Sequence, residues 1–186
     1  MKKIMFICHG NICRSTMAQF VMEDLVKRAR RSAAFVIDSA ATSTEEIGMP
    51  PHPGTVRKLR EVGVPVHAHR ARQITRGEYA EWDAFVYMDE ENARGLRHIF
   101  GDDPEGKCVK LLAFAGLDAE GNDGSAAGAC ADECAAVPPF PSLSELSACS
   151  PQTRDVADPW YTGNFDETYR DVLAGCTGLL AWADAR

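Results

Sequence analysis

The chain has 186 residues, 45% hydrophobic and 25% charged, with a formal net charge of −7; these are ordinary globular proportions, enough for a sizeable core. A pI near 5.2 argues against general nucleic-acid binding or attachment to an anionic bilayer, both of which want a basic footprint. No apolar run reaches the roughly 20 residues of a membrane helix, residues 4–8 are too short for a signal-peptide core, and seven irregularly spaced cysteines make no disulfide framework, so the expectation is a cytoplasmic protein with mostly reduced thiols.

Residues 3–7 form a short apolar run, as in a buried parallel strand. From 13 to about 30, Met17, Phe20, Val21, Leu25 and Val26 recur at helical spacing. Residues 35–38 are a second strand candidate, and Pro53 opens a helix through Val62 that Gly63 stops. Residues 84–88 follow as a third strand, with Asp89 as N-cap of a helix over 90–99. A fourth strand at 108–112 and a helix at 166–182 complete the series. This alternation predicts an α/β fold with a doubly wound parallel sheet, whose ligand sits beyond the carboxyl ends of the strands.

Charge divides unevenly. Residues 1–110 hold 17 Lys and Arg against 15 Asp and Glu; residues 111–186 hold 3 against 12. An anion site is therefore expected in the first part. One stretch breaks the alternation: there is no Lys or Arg from 111 to 153, and 113–150 contains ten Ala and four Gly. It reads as a low-complexity insertion over 113–153, expected to be partly mobile.

The chemistry concentrates in Cys8-His9-Gly10-Asn11-Ile12-Cys13-Arg14-Ser15, between the first strand and the first helix. A strand feeding a helix through a short loop aims backbone N–H groups into one concavity at the positive end of a helix dipole, which makes an anion cradle. Gly10 and Asn11 tolerate the left-handed backbone that such a loop wants. Arg14 offers a planar fork to two phosphate oxygens. Cys8 faces the same donors, which favour its thiolate. Ser15 either donates to that sulfur or caps the helix. No G-x-x-x-x-G-K-[ST] sequence is present, which argues against a nucleotide triphosphatase.

These residues resemble the low-molecular-weight protein tyrosine phosphatases, whose hallmark is C-x-G-N-I-C-R-S near the start of the chain. Asp38-Ser39-Ala40, His69-Arg70-Ala71-Arg72-Gln73, Met88-Asp89-Glu90-Glu91-Asn92 and Asp158-Pro159-Trp160-Tyr161 extend the resemblance, in family order, to nearly the whole chain outside about 113–153. It implies one phosphatase domain over 1–186 with a flavodoxin- or Rossmann-like four-stranded sheet. It implies hydrolysis of phosphotyrosine through a cysteinyl-phosphate on Cys8, with the loop from His9 to Ser15 holding phosphate or another oxyanion. Asp158 is then the general acid; the alternative is a turn cap, with Asp155 and Asp89 as competing carboxylates. Trp160 and Tyr161 are implied as walls of an aryl slot, core burial being the alternative. Asn11, Ser39 and His69 are implied as supports of the loop. Cys13 is implied as a redox partner of Cys8, or is simply a small buried residue. Ile12 stands where related arginine phosphatases carry a smaller polar residue, favouring phosphotyrosine. The implied partners are phosphotyrosine-containing proteins, with no cofactor, metal, nucleic acid or membrane, and the implied state is a monomer or weak homodimer.

The chain departs from the family pattern at Glu45, where a tryptophan usually stands, and a carboxylate there repels acidic peptides. His9 fills the variable loop position. Cys130, Cys134 and Cys149 in the insertion fall short of a zinc set without a fourth ligand. Two rival functions share the loop. A thioredoxin-coupled arsenate reductase needs a cysteine pair after the third strand, and residues 89–101 contain none. A non-catalytic phosphoprotein-binding module has no need of Cys8, Arg14 and Asp158 together.

Overall fold

The computed structural model describes residues 1–117 and 141–185. Its four strands, β1 (Lys2–Cys8), β2 (Phe35–Ala41), β3 (Ala84–Tyr87) and β4 (Cys108–Lys110), form one parallel sheet in the order β2-β1-β3-β4. β1 is interior, with Ile4 opposite Ile37 on one side and Ala84 on the other. It is buried from Ile4 to Cys8, which is why its sequence is a continuous apolar run.

Alternate side chains of β1 still part to opposite faces. Ile4, Phe6 and Cys8 join Val86 and Met88 in the core under α1 (Arg14–Arg28) and α6 (Phe165–Asp184). Met5 and Ile7 join Phe85 and Tyr87 against Leu96 and Phe100 of α3 (Glu90–Phe100). Helices thus cover both faces, as the alternating pattern predicts. α2 (Pro53–Glu61) starts on its proline, with the His52 ring accepting from Gly54 N at 3.1 Å. Among the described residues no helix is long and apolar enough to cross a membrane.

Two strand ends differ from expectation by more than one residue. β2 runs on to Ala41 because Ser39, Ala40 and Ala41, though not bulky, are buried against the end of β1. β4 stops at Lys110, and Leu111–Ala113 turns into a 3-10 helix where α6 presses in. The approach there is so close that a Cβ on Gly178 would lie 1.8 Å from the Phe114 carbonyl oxygen.

The expected insertion over 113–153 does not behave as one unit. Phe114 is fully buried, and α4 (Leu143–Cys149) is fixed by a capping box between Ser142 and Glu145 and by buried Leu146. Ser147 Oγ donates to Cys108 O at 2.9 Å, and Ser150 Oγ accepts from Lys110 N at 2.9 Å. Residues 141–153 therefore satisfy the outer backbone of β4 and blunt that edge. Trp182 Nε1 of α6 donates to Pro141 O at 2.7 Å. Cys130 and Cys134 lie outside the described residues; Cys149 is exposed.

Candidate active site

The loop from Cys8 to Arg14 joins β1 to α1 and is held from outside by its carbonyls. Thr42 N donates to Cys8 O (2.9 Å), Ser43 N to His9 O (3.1 Å) and His52 N to Ile12 O (2.8 Å). Thr16 Oγ1 donates to Asn11 O (2.8 Å) and Met17 N to Cys13 O (3.0 Å). In a trans peptide the N–H of the next residue points opposite to the carbonyl, and there are no cis bonds among the described residues. The amides of His9, Gly10, Ile12, Cys13 and Arg14 are thereby turned away from the scaffold, toward a pocket of about 160 Å³ lined by those residues and Cys8.

Asn11 makes this turn possible. It sits at φ 58°, a left-handed conformation that asparagine tolerates, and it is fully buried. Its Nδ2 donates to Ser15 Oγ (2.9 Å) and Ser39 Oγ (2.8 Å), and its Oδ1 accepts from Arg72 N (3.2 Å). Ser39 passes its own hydrogen to Gln19 Oε1 at 2.7 Å. His69 Nε2 donates to Asn11 O at 3.3 Å; burial outweighs this contact and holds the ring below its ordinary pKa. Gly10, by contrast, does not adopt the expected left-handed backbone. A Cβ there would meet Glu46 Cγ at 3.0 Å, so its glycine gives room rather than a special φ.

At the base of the pocket Cys8 Sγ accepts from Asn11 N at 3.3 Å and lies 3.0 Å from Ser15 Oγ. Ser15 already accepts from Asn11, which leaves its hydrogen for the sulfur; α1 has no side-chain cap, so the capping alternative for Ser15 falls away. Arg14 is buried between two carboxylates, with Nη1 2.5 Å from Asp89 Oδ2 and Nη2 2.6 Å from Asp158 Oδ2. Burial opposes the guanidinium charge, but Cys8, Asp89 and Asp158 more than offset it and raise the Arg14 pKa. Cys13 behaves differently from a nucleophile: burial first, then the charges of Cys8 and Asp158, push its thiol up to about 12.

Asp158 also caps α5 (Pro159–Thr162), its Oδ1 accepting from Trp160 N at 2.9 Å, so the turn-capping and pocket-facing readings hold together. Trp160 and Tyr161 line the pocket and are 61% and 83% exposed, which removes core burial as their role. Of the competing carboxylates, Asp89 caps α3 through Asn92 N (2.7 Å) with its second oxygen, and Asp155 pairs with Lys110 at 2.9 Å. Neither lines the pocket; Asp158 does.

The structure adds groups that sequence reasoning passed over. Asp89 is a partner of Arg14 as well as a cap. Glu46 and Glu91 join Glu45 at the mouth, where His9 lies 3.2 Å from Glu45 and 3.7 Å from Glu91. The run Met88-Asp89-Glu90-Glu91-Asn92 was a usable signal for Glu91; nothing marked Gln19.

A parallel α/β sheet ending in this cysteine and arginine loop is the architecture of the low-molecular-weight protein tyrosine phosphatases. The crystal structure of YfkJ from Bacillus subtilis matches with a TM-score of 0.73 and 30% identity, covering 97% of this chain and 93% of that one. SP-PTP, a low molecular weight protein tyrosine phosphatase from Streptococcus pyogenes, matches at 0.69 and 30% identity over 97% of this chain and 91% of its own. In sequence, the low molecular weight protein-tyrosine-phosphatase YfkJ is 31% identical over 97% of this chain and 95% of its own length. The low molecular weight phosphotyrosine protein phosphatase of Sus scrofa is 44% identical over 51% of this chain and 60% of its own. The family model described as low molecular weight phosphotyrosine protein phosphatase matches residues 3–122. The chain belongs to that family and is a low molecular weight protein tyrosine phosphatase.

Proposed function

We propose that the chain hydrolyses phosphotyrosine in proteins through a covalent phosphate on Cys8. The observation that carries this is the pocket, in which Cys8 lies beneath inward-turned amides while Arg14 bridges to Asp158 at 2.6 Å. An entering phosphate dianion takes the donors of Arg14 and the loop and frees Asp158 to carry a proton. Sγ then attacks phosphorus, the P–O bond to the aryl group breaks, and Asp158 protonates the leaving phenolate. In the second step Asp158 takes a proton from water, which attacks phosphorus and breaks the S–P bond, releasing inorganic phosphate and the Cys8 thiolate.

Exposed Trp160 and Tyr161 suit an aryl ring at the mouth, and half-buried Ile12 gives the slot an apolar side. Glu45, Glu46 and Glu91 at the mouth oppose acidic residues beside the phosphotyrosine. The test is a set of phosphotyrosyl peptides with Lys or Glu flanks, assayed at low salt. Hydrolysis of both is expected, faster for the Lys-flanked peptides by several-fold, with the gap narrowing as salt rises. No hydrolysis of any peptide would overturn the reading.

Cys13 supports a protective role, since it lines the same pocket as Cys8. Peroxide converts the Cys8 thiolate to a sulfenic acid with loss of water or hydroxide; the Cys13 thiol then attacks that sulfur, forming S–S and releasing water. Burial and, second to it, the charge of Cys8 keep Cys13 protonated; oxidation of Cys8 removes the second of these and leaves the first. Peroxide-treated protein is expected to regain activity with dithiothreitol, and Cys13→Ser to be inactivated irreversibly. Mass spectrometry finding no Cys8–Cys13 peptide after peroxide would dismiss the pairing.

A further inference from the structure

The stretch that delivers Asp158 to the pocket, residues 153–157, has no regular secondary structure, yet its backbone is tied down at Thr153, Val156 and Ala157. Thr153 O accepts from the Nζ of buried Lys110 at 2.8 Å, and Val156, 2% exposed, donates its N–H to Met88 O at 2.9 Å. Ala157, the residue before the acid, is gripped at both of its polar groups by α6. Its N–H donates to Asp171 Oδ2 at 3.0 Å, and its carbonyl accepts from Thr168 Oγ1 at 2.8 Å.

Asp171 is a costly residue to place there. It is 4% exposed, on a helix face it shares with buried Val172, Gly175 and Leu179, and a buried carboxylate destabilises unless paired and hydrogen-bonded. Here Arg154 meets it with both terminal guanidinium nitrogens, at 2.5 and 2.9 Å, and the Ala157 amide completes the set. Neither Asp171 nor Arg154 lines the pocket. Beyond the peptide plane that the Thr168 bond fixes, rotation about the backbone and side chain of Asp158 itself is all that separates the clamp from the carboxyl.

We propose that Asp171 is a positioning residue for the reaction, fixing the Asp158 carboxyl through the backbone of Ala157. This rests on the assignment of Asp158 as general acid. A displacement of the order of 1 Å at a proton donor costs about 100-fold. The cost falls on substrates whose leaving oxygen needs the proton, and much less on those that depart as stable anions.

The experiment compares kcat/KM for phenyl phosphate and 4-nitrophenyl phosphate, with Asp158→Asn as reference. Asp171→Ala is expected to slow phenyl phosphate by about 10–100-fold and 4-nitrophenyl phosphate by only a few-fold, with inhibition by inorganic phosphate unchanged. Asp171→Asn, which keeps an acceptor for Ala157 N but loses the charge facing Arg154, is expected to recover most of the rate while melting as low as the alanine variant. Equal losses on both substrates, or no loss in folded Asp171→Ala, would overturn the role. Should Asp171→Ala not fold, the isosteric Thr168→Val carries the same test through the Ala157 carbonyl, and equal or absent losses there count against the role too. If Asp158→Asn itself shows no leaving-group dependence, the acid assignment fails and takes the positioning role with it. If Asp158→Asn shows it and Asp171→Ala does not, the clamp alone fails.

Discussion

Cys8→Ser is expected to lower kcat for aryl phosphates by at least about 10⁴-fold while leaving the affinity for inorganic phosphate intact or higher. A serine hydroxyl stays protonated near neutrality and is a weak nucleophile without an adjacent base, and the groups beside position 8, the Asn11 amide and the Ser15 hydroxyl, are donors. Removing a member of a catalytic unit costs far more than one interaction, because the remaining groups have no bond-forming step to assist. Phosphate binding should survive, since the amides and Arg14 are untouched and the smaller serine removes a negative neighbour from the dianion. Steady-state kinetics with a chromogenic aryl phosphate, together with calorimetric titration of phosphate, check both halves. Retention of a tenth or more of the wild-type kcat would mean that water attacks phosphorus directly and that no cysteinyl-phosphate lies on the path.

How much of this could be read from the chain depends on how local the chemistry is. The stretch from Cys8 to Ser15 was readable because nucleophile, anion cradle and guanidinium are contiguous, and a buried strand before it and an amphipathic helix behind it fix its setting. The parallel sheet was readable for a related reason: β1, buried on both faces, must be an apolar run, and β3, Ala-Phe-Val-Tyr, repeats that pattern. Asp89 shows where local reading stops. One of its oxygens caps α3, which fully satisfies a sequence argument, while the other pairs with Arg14, 75 residues away. Asp171 is out of reach for another reason: an acidic residue in an amphipathic helix looks solvent-facing, and its partners, 14 and 17 residues earlier in the chain, belong to no local motif. At Ser142 the signal existed, Ser-x-x-Glu being a capping box, but the Ala- and Gly-rich composition around it outweighed four residues.

Asp158→Asn is expected to reduce kcat/KM for phenyl phosphate by about 10²–10⁴-fold, the usual worth of a positioned general acid. Asparagine suits the test because its carbonyl oxygen can go on accepting from Trp160 N, which Asp158 caps at 2.9 Å, so α5 should keep its place and only the transferable proton is lost. The loss should shrink for 4-nitrophenyl phosphate, whose phenolate leaves without help. The second step gives an independent readout. Without a base to take a proton from water, the Cys8 phosphate should persist when 4-nitrophenyl phosphate is the substrate, seen as a burst of 4-nitrophenolate followed by slow turnover and as a phosphorylated protein after a denaturing quench. Arg14 adds a constraint on interpretation: it pairs with Asp89 at 2.5 Å as well as with Asp158 at 2.6 Å, so the variant leaves it one carboxylate partner and phosphate affinity should fall little, if at all. A variant that instead lost phosphate binding in proportion to rate would mark Asp158 as a binding group. A variant with undiminished phenyl phosphate turnover would move the acid elsewhere, and Asp89, whose two oxygens already hold Arg14 and the start of α3, would have to give up one of them to serve.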